Sequence, residues 1–377
     1  MKWSWRIGTF AGIKVYIHAT FLLLLVWVAV AHYLDGGSLA RAADGVFFTL
    51  LVFAIVLLHE FGHALTAARF GIRTRDITLL PIGGVARLER MPDKPWQELL
   101  VALAGPAVNA VLAAVFIALL AARGRVHELF AADLMHGSLT SRLVWVNTSL
   151  AVFNMVPAFP MDGGRVLRAL LAMQMDYVAA TNTAARLGQA LALLFGILGL
   201  AFNPFLAFIA LFVWIGAAEE AGSVQIRSAL AGIPVSRAMI TDYRTLAPGD
   251  ALSRAVQLIL DGFQQDFPVT EDGRVVGVLT RARLLEALAK NDHEVLVREA
   301  MDTDLHIADP SETLENVLLR LQACACHSAP VMRDGRLVGM ITLDNIGEFV
   351  MIQGAIREAL SHRREGPAPA PDRIGPP

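Results

Sequence analysis

Residues Gly45–Ala68 read GVFFTLLVFAIVLLHEFGHALTAA, an apolar run with two histidines and one glutamate near its end. Almost every residue from Val46 to Leu58 is apolar, which predicts a helix inside a membrane. His59 and His63 are four residues apart, so both imidazoles lie on one helix face and can reach one metal ion. Glu60 lies on the adjoining face, where a carboxylate acts as a base and not as a ligand. Since ionisable groups at membrane depth mark functional sites, the stretch predicts an intramembrane metal site; a helix end with interfacial polar residues is the alternative.

A zinc ion held by two histidines usually takes a third protein ligand. Asp162 is the best candidate, because it lies in NMVPAFPMDGG (154–164), where Pro157, Pro160 and two glycines interrupt helices. Unwound backbone inside a membrane is tolerated only where it is buried or lines a cavity, and a cavity admits water. We therefore expect Asp162 to complete the metal site; an aspartate at a helix end that faces the cytoplasm is the alternative.

The composition separates two parts of the chain. Residues 1–220 hold 16 Lys and Arg and 13 Asp and Glu, whereas the shorter stretch 221–377 holds 16 and 21. Over the whole chain, 55% of residues are hydrophobic and 18% are charged, which excludes a disordered or fibrous protein and argues against an ordinary cytosolic enzyme. The net charge of −2 gives no reason to expect a nucleic-acid partner.

Hydropathy predicts six membrane spans before a boundary near residues 219–222. The 32 uncharged residues of 187–218 would form a helix of about 48 Å, too long for a hydrocarbon core of about 30 Å, so we expect a hairpin that turns at Asn203-Pro204. The alternate loops hold 12 Lys and Arg on one side and 4 on the other, which predicts that both termini are cytoplasmic in a multi-pass cell-membrane protein. The predicted spans are about 18–34, 45–68, 99–122, 143–161 and the two arms of the hairpin within 184–218.

The two polar stretches together resemble the site-2 proteases, which are intramembrane zinc metalloproteases. The resemblance covers about residues 1–220 and depends on HEFGH in an early span and on the Asn154 to Gly163 stretch in a later one. It implies that His59, His63 and Asp162 bind one zinc ion per chain and that Glu60 is the general base. It also implies that the substrates are single-span membrane proteins with regulatory roles, cut within or near the lipid bilayer.

Two further features are similar to that family. Gly105 and Asn109 match a G-x-x-x-N element, in which small residues permit close helix packing. The segment 83–89 resembles a strand or hairpin that could pair with an unwound substrate. Asn109 and Asn154 are candidates for contacts with the substrate or its oxyanion. The alternatives are a helix–helix hydrogen bond for Asn109, a cap for Asn154 and an ordinary surface hairpin for 83–89.

The second part of the chain is a tandem repeat with an offset of 62 residues. DGRVVGVLT at 272–280 recurs as DGRLVGMIT at 334–342. Each copy reads helix, strand, Asp-Gly turn, strand, helix, and Asp-Gly between apolar runs predicts a hairpin. The repeat resembles a pair of CBS modules over about 233–351. The predicted fold class is an α-helical polytopic membrane protein with six transmembrane helices, followed by a soluble α/β CBS pair.

The resemblance to CBS pairs implies an adenine nucleotide in the cleft between the copies and association of two chains into a homodimer. Thr280 and Thr342 are candidate nucleotide contacts, and Arg283 is a candidate phosphate contact. Many nucleotide-binding copies carry an acidic residue three positions after the threonine, whereas this chain has Arg283 and Asn345 there. A structural or dimerising role without nucleotide is the alternative.

Cys324 and Cys326 are the two cysteines of the chain, which excludes a disulfide scaffold. Their spacing with His327 is not that of a structural zinc site, so we expect buried structural thiols. His306 is expected at the surface. The predicted domains are a six-span metalloprotease domain (1–222), a linker (223–232), CBS modules at 233–293 and 294–355, and a disordered tail (356–377).

Two other classes of protein remain open at this point. CBS pairs are also attached to transporters and channels, which would line several spans with polar residues. An inactive membrane scaffold would use the CBS pair for partner binding and would not need Glu60. In this chain the polar residues cluster around HEFGH and the Asn154 to Asp162 stretch, which favours the hydrolase.

Overall fold

The computed structural model describes residues 3–89, 92, 94–130, 137–262, 264–290, 295–324 and 326–364. The chain divides into two compact units, Met1–Val224 and Gln225–Pro377. The described strands and α-helices that begin in the first unit are, in chain order, β1 (Ser4–Phe10), β2 (Ile13–His18), α1 (Ala19–Gly36), α2 (Leu39–Arg69), β3 (Thr74–Leu80), β4 (Gly83–Leu88), α3 (Pro95–Ala122), α4 (Leu139–Asn154), α5 (Asp162–Ala172), α6 (Tyr177–Phe202) and α7 (Pro204–Leu230).

The four strands of the first unit form one sheet in the order β1-β2-β3-β4. β2 and β3 are parallel, with α1 and α2 as the crossover between them, and the outer pairs are antiparallel. Ile13 and Ile77 are buried against Ala64, so the sheet covers the second half of α2. β4 lies at the edge of this sheet, where one row of its backbone N–H and C=O groups is left for another strand.

Among the described residues, five helices are long and apolar enough to cross a membrane: α1, α2, α3, α6 and α7. The fourth predicted span, 143–161, forms the 16-residue α4 followed by a loop, and α4 is shorter than these five helices. Pro157 lacks a backbone N–H and cannot continue a helix, so the helix ends at Asn154. The predicted hairpin is confirmed, since α6 ends at Phe202 and α7 begins at Pro204.

The second unit has the repeat that the sequence predicts. The hairpin turns at Asp272-Gly273 and Asp334-Gly335 have positive φ at both residues, as a two-residue turn of this kind requires. Equivalent elements begin 62 residues apart, for example α8 at Leu252 and α11 at Leu314. The described elements are α8 (Leu252–Asp261), β5 (Phe267–Glu271), β6 (Arg274–Leu279), α9 (Arg281–Leu288), α10 (Val297–Ala300), α11 (Leu314–Cys324), β7 (Ser328–Arg333), β8 (Arg336–Thr342) and α12 (Leu343–Arg364).

The first residues of each CBS copy pack in the core of the other copy. Val235, which opens the first copy, is buried in the core of the second, and Val297 is buried in the core of the first. Neither copy therefore completes its core alone, which is why the repeat folds as a pair.

Three sequence-based expectations change in or next to this unit. Residues 223–230 of the predicted linker continue α7, and residues 356–364 of the predicted disordered tail belong to α12. The remainder of that tail lies outside the described residues. Cys324 and Cys326 are joined by a disulfide and are not free thiols.

Candidate metal centre

Two histidines of α2 and one aspartate of α5 meet in the interior of the first unit. His59 and His63 are one helical turn apart, and their Nε2 atoms lie 3.1 Å from each other. The Oδ2 atom of Asp162 lies 3.1 Å from each of these nitrogens. All three side chains are buried. The structure thus brings together the three predicted metal ligands, which are 99 and 103 residues apart in sequence.

The donor set and the space beside it fit a zinc ion. Two imidazole nitrogens and a carboxylate oxygen are donors that zinc prefers, and they lie close enough together to share one ion. Gly105 of α3 lies directly beside them. A Cβ atom at this position would lie 2.2 Å from His63 Nε2 and 2.6 Å from His59 Nε2, so the absence of a side chain keeps the space next to both nitrogens free.

A chain of hydrogen bonds fixes the orientation of both imidazoles. His63 donates its Nδ1–H to the carbonyl oxygen of Val101 at 2.7 Å, which leaves Nε2 unprotonated towards Asp162. His59 donates its Nδ1–H to the Oδ1 atom of Asn109 at 2.5 Å. The Nδ2 group of Asn109 donates in turn to Asn147 Oδ1 at 3.1 Å, and Asn147 donates to the carbonyl oxygen of Leu143 at 2.8 Å.

These contacts change the role expected for Asn109. The sequence motif suggests a contact with the substrate or the oxyanion, but the Asn109 side chain is fully buried behind His59. Its hydrogen bond to Asn147 is the helix–helix contact considered as the alternative. Asn147 was not predicted, and the signal available for it was an uncharged amide in the middle of a mostly apolar helix.

The first turn of α5 positions Asp162 through tight packing against the preceding loop. A Cβ atom at Gly163 would lie 2.3 Å from the carbonyl oxygen of Val156, and one at Gly164 would lie 2.6 Å from the backbone nitrogen of Phe159. The Phe159–Pro160 peptide bond in this loop is cis. The two glycines therefore allow the helix to begin at Asp162, so that its carboxylate faces α2.

A buried ion cluster that the sequence did not predict also holds α5 in place. Arg168 is fully buried and donates from Nε and Nη2 to Oε1 of Glu98 at 2.8 and 2.5 Å. Its Nη1 group donates to Glu220. The three residues belong to α5, α3 and α7, and the cluster therefore connects the helix of Asp162 to two neighbouring helices.

Glu60 lies between the metal-ligand face of α2 and the sheet. A Cβ atom at Gly84 of β4 would lie 2.7 Å from Glu60 Cγ and 3.2 Å from Val56 Cγ1. The edge strand β4 therefore passes directly against the Glu60 side chain. Asn154, the other residue predicted to contact substrate, is the last residue of α4 and is half-buried.

The second unit contains a cavity of about 1200 Å³ lined by residues of both CBS copies. Thr280 and Thr342 line it, as the nucleotide prediction requires. Arg283 is not among its lining residues, because its guanidinium pairs with Asp302 at 2.7 Å. This pairing raises the pKa of Arg283 and occupies the group that was expected to meet a phosphate.

Both parts of the chain match known protein families. The sequence model of Peptidase family M50 matches residues 47–128 and 128–195, and the CBS domain model matches 235–290 and 297–351. A zinc metalloprotease of Methanocaldococcus jannaschii is 32% identical over 349 residues, which are 92% of this chain and 96% of the relative. Rip3 of Mycobacterium tuberculosis is 30% identical over 375 residues, with coverage of 91% and 92%. The solved site-2 protease from Methanocaldococcus jannaschii is 35% identical, covers 58% of this chain and 95% of that chain, and superposes with a TM-score of 0.43.

Proposed function

Because this chain belongs to peptidase family M50, the site-2 protease family of zinc metalloproteases, we propose that His59, His63 and Asp162 hold its zinc ion and that Glu60 is the general base of peptide hydrolysis. One observation carries the proposal: the three donor atoms come from two distant stretches and lie 3.1 Å from one another. A zinc ion bound there supplies Lewis acidity for the activation of water and for the polarisation of the scissile carbonyl.

The carboxylate of Glu60 moves the proton. It accepts a proton from the attacking water and passes it to the amide nitrogen as the C–N bond breaks. Its place next to the two histidines and against β4 supports this role, because a substrate segment beside β4 would lie within its reach.

Asn109 and Asn147 act as positioning residues. Their hydrogen-bond chain holds His59 with its Nδ1 protonated and its Nε2 free for the metal. The carbonyl oxygen of Val101 does the same for His63.

The substrates are single-span membrane proteins with regulatory roles, and they bind in an extended form. A helix hides its backbone carbonyls in hydrogen bonds, so the segment to be cut must unwind before hydrolysis. The position of β4 (Gly83–Leu88) at the edge of the sheet supports pairing with such a segment by strand addition. Asn154 is the candidate for a contact with the scissile carbonyl, since it lies where α4 ends before the loop that leads to Asp162.

The test replaces the Glu60 carboxylate by an amide of the same shape. In purified full-length protein reconstituted into lipid, Glu60→Gln should reduce cleavage of a single-span substrate by about 10²–10⁴-fold, the usual contribution of a general base. Zinc content should remain at one ion per chain, whereas Asp162→Ala should lose both zinc and cleavage. Glu219→Gln, an exposed glutamate of α7, is the matched control and should cleave normally. Undiminished cleavage by Glu60→Gln would refute the role of Glu60.

The chain is a multi-pass membrane protein, and its CBS pair is a cytoplasmic module that binds an adenine nucleotide and joins two chains into a homodimer. The cavity lined by Thr280 and Thr342 supports the nucleotide proposal. Calorimetry of the full chain with ATP, ADP and AMP tests it, and absence of heat with all three would exclude these ligands. Light scattering of the detergent-solubilised chain tests the dimer.

A further inference from the structure

Three side chains of the second CBS copy form a cluster of metal-binding donors far from HEFGH in sequence. His306, Cys324 and Cys326 each offer one donor atom, and these atoms lie within 4.8 Å of one another. All three residues are half-buried, and the two sulfurs form a disulfide. His306, expected at the surface, is thus the histidine beside the cysteines, whereas His327 lines the cleft.

The fold of a CBS copy brings these positions together. Ala308 pairs in parallel with Val331 of β7, and its amide donates to the carbonyl oxygen of Pro330 at 3.0 Å. The residues just before Ala308 and the residues just before β7 therefore run side by side. His306 lies in the first of these two segments, and Cys326 lies in the second.

The first copy shows the same juxtaposition with different side chains. Subtracting the repeat offset of 62 from His306, Cys324 and Cys326 gives Arg244, Gly262 and Gln264. Gln264 accepts from the backbone nitrogen of Arg244 at 2.7 Å and donates to its carbonyl oxygen at 2.9 Å. The architecture thus holds the equivalents of 306 and 326 in contact in both copies, but the second copy alone has soft metal donors there.

We propose that the second CBS copy, with its cysteines reduced, binds one thiophilic divalent cation of the zinc class through Cys324, Cys326 and His306. Two thiolates and one imidazole are donors that select zinc over hard cations such as magnesium and calcium. A fourth position is left for water or another small ligand. This site is independent of the one that His59, His63 and Asp162 form in the first unit.

The disulfide is the metal-free alternative of the same site. Opening it takes two electrons and two protons from a dithiol, which is itself oxidised to a disulfide. Each thiol then releases its proton when its sulfur binds the metal. His327 lines the cavity between the copies, and Cys326 directly precedes it in sequence. One ligand of the metal would therefore be the neighbour of a cavity-lining residue.

Cadmium is the probe, because thiolate–cadmium bonds give a charge-transfer absorption that a site of two histidines and an aspartate cannot give. The full chain in detergent is stripped of metal, reduced with dithiothreitol, desalted without oxygen and titrated with cadmium. The reduced wild type should develop the absorption, and the oxidised chain should show none. An excess of zinc should displace the cadmium and abolish the absorption. The double variant Cys324→Ser/Cys326→Ser should also show none while its thermal unfolding remains cooperative.

The histidine has its own test and matched control. His306→Gln should weaken cadmium binding by about tenfold or more, since even residues that merely support a metal ligand contribute that much. His327→Gln, the neighbouring histidine outside the cluster, should bind cadmium as the wild type does. A reduced wild type without the absorption, a band in the oxidised chain, or equal affinities of His306→Gln and wild type would each overturn the proposal. Peptide cleavage enters none of these readouts, so the result is independent of the proposed catalytic roles.

Discussion

The side chain of Asn147 touches none of the three metal-binding donors, yet it fixes one of them. The carbonyl oxygen of Leu143 can only accept a hydrogen bond, so the amide of Asn147 must present its Nδ2 group there and its Oδ1 atom to Asn109. The same logic then turns Asn109 Oδ1 towards His59, which must carry its proton on Nδ1. A backbone carbonyl on α4 thereby sets the tautomer of a histidine on α2.

Asn147→Leu should break this chain of hydrogen bonds and weaken zinc binding by about 10–100-fold, the range typical of residues that support a metal ligand. Cleavage should fall at low zinc and recover in part at high zinc, which a purely structural defect would not allow. Competition with a chelator measures the affinity, and Ser149→Ala, at an exposed position of α4, serves as the control. Equal zinc affinities of Asn147→Leu and wild type would show that His59 does not need this support.

Gly84→Ala tests the contact between β4 and Glu60. The added methyl would lie 2.7 Å from Glu60 Cγ, so the carboxylate must move away from its present position. We expect kcat to fall by about 10-fold or more with zinc content unchanged, because a small misplacement of a catalytic group is enough for a large loss. Gly222→Ala is the matched control, since an added methyl there meets nothing within 4 Å. A wild-type kcat for Gly84→Ala would show that the contact with β4 does not position Glu60.

The sequence predicted the three candidate donors that the structure brings together, but not the residues that hold them in place. His59 and His63 have a helical spacing, and Asp162 stands among helix breakers, so each carried a local signal. Asn147 has no local sequence signal of this kind. Its partner Asn109 lies 38 residues away, and only the packing of α3 on α4 brings the two side chains together. A hydrogen bond between distant helices leaves no periodicity in the sequence.

At the scale of elements, the cluster around Arg168 decides how firmly α5 is held. Arg168→Met would leave Glu98 buried without its cation, and removal of one partner from a buried ion pair destabilises a protein by about 3–5 kcal/mol. We expect a loss of that size in unfolding measurements in detergent, and a smaller loss when Glu98→Gln is added. Arg186→Met, at an exposed position of α6, should change stability by less than about 0.5 kcal/mol. Equal losses of stability in Arg168→Met and Arg186→Met would show that Arg168 does not hold α5 in place.

From the sequence, Arg168 counts among the positive charges of a loop. Arg168 and Glu98 lie in segments between predicted spans, and a count of positive charges treats such an arginine as solvated. In the structure it is fully buried between three helices. Hydropathy likewise joined α4 and the following loop into one span, because both are apolar and the count does not register the change of backbone direction before Asp162.

The strands of the first unit were predicted only in part. The segment 83–89 was expected as a strand or hairpin and forms β4. β1 and β2 precede the first predicted span and were not predicted; they are joined at Ala11-Gly12, where both residues have positive φ. The parallel pairing of β2 with β3 spans two long helices, and local patterns do not specify a contact of that range.

The whole molecule has one unit suited to lipid and one suited to water. Large apolar side chains such as Trp27, Leu200 and Phe205 are exposed on the long helices of the first unit, as expected where lipid surrounds them. The second unit buries its apolar residues in two cores, one per CBS copy. The charge difference between 1–220 and 221–377 therefore follows the solvent of each unit, which is why composition alone located the boundary.

The orientation of the molecule can be tested with its own two cysteines, both of which lie in the second unit. The excess of Lys and Arg on one side of the predicted spans predicts that both termini and the CBS pair are cytoplasmic. After treatment with a permeant reductant, a membrane-impermeant maleimide should label the chain in inside-out vesicles and leave it unlabelled in right-side-out vesicles. Cys324→Ser/Cys326→Ser is the control and should stay unlabelled in both preparations. Labelling confined to right-side-out vesicles would invert the topology and place the CBS pair beyond the reach of cytoplasmic nucleotides.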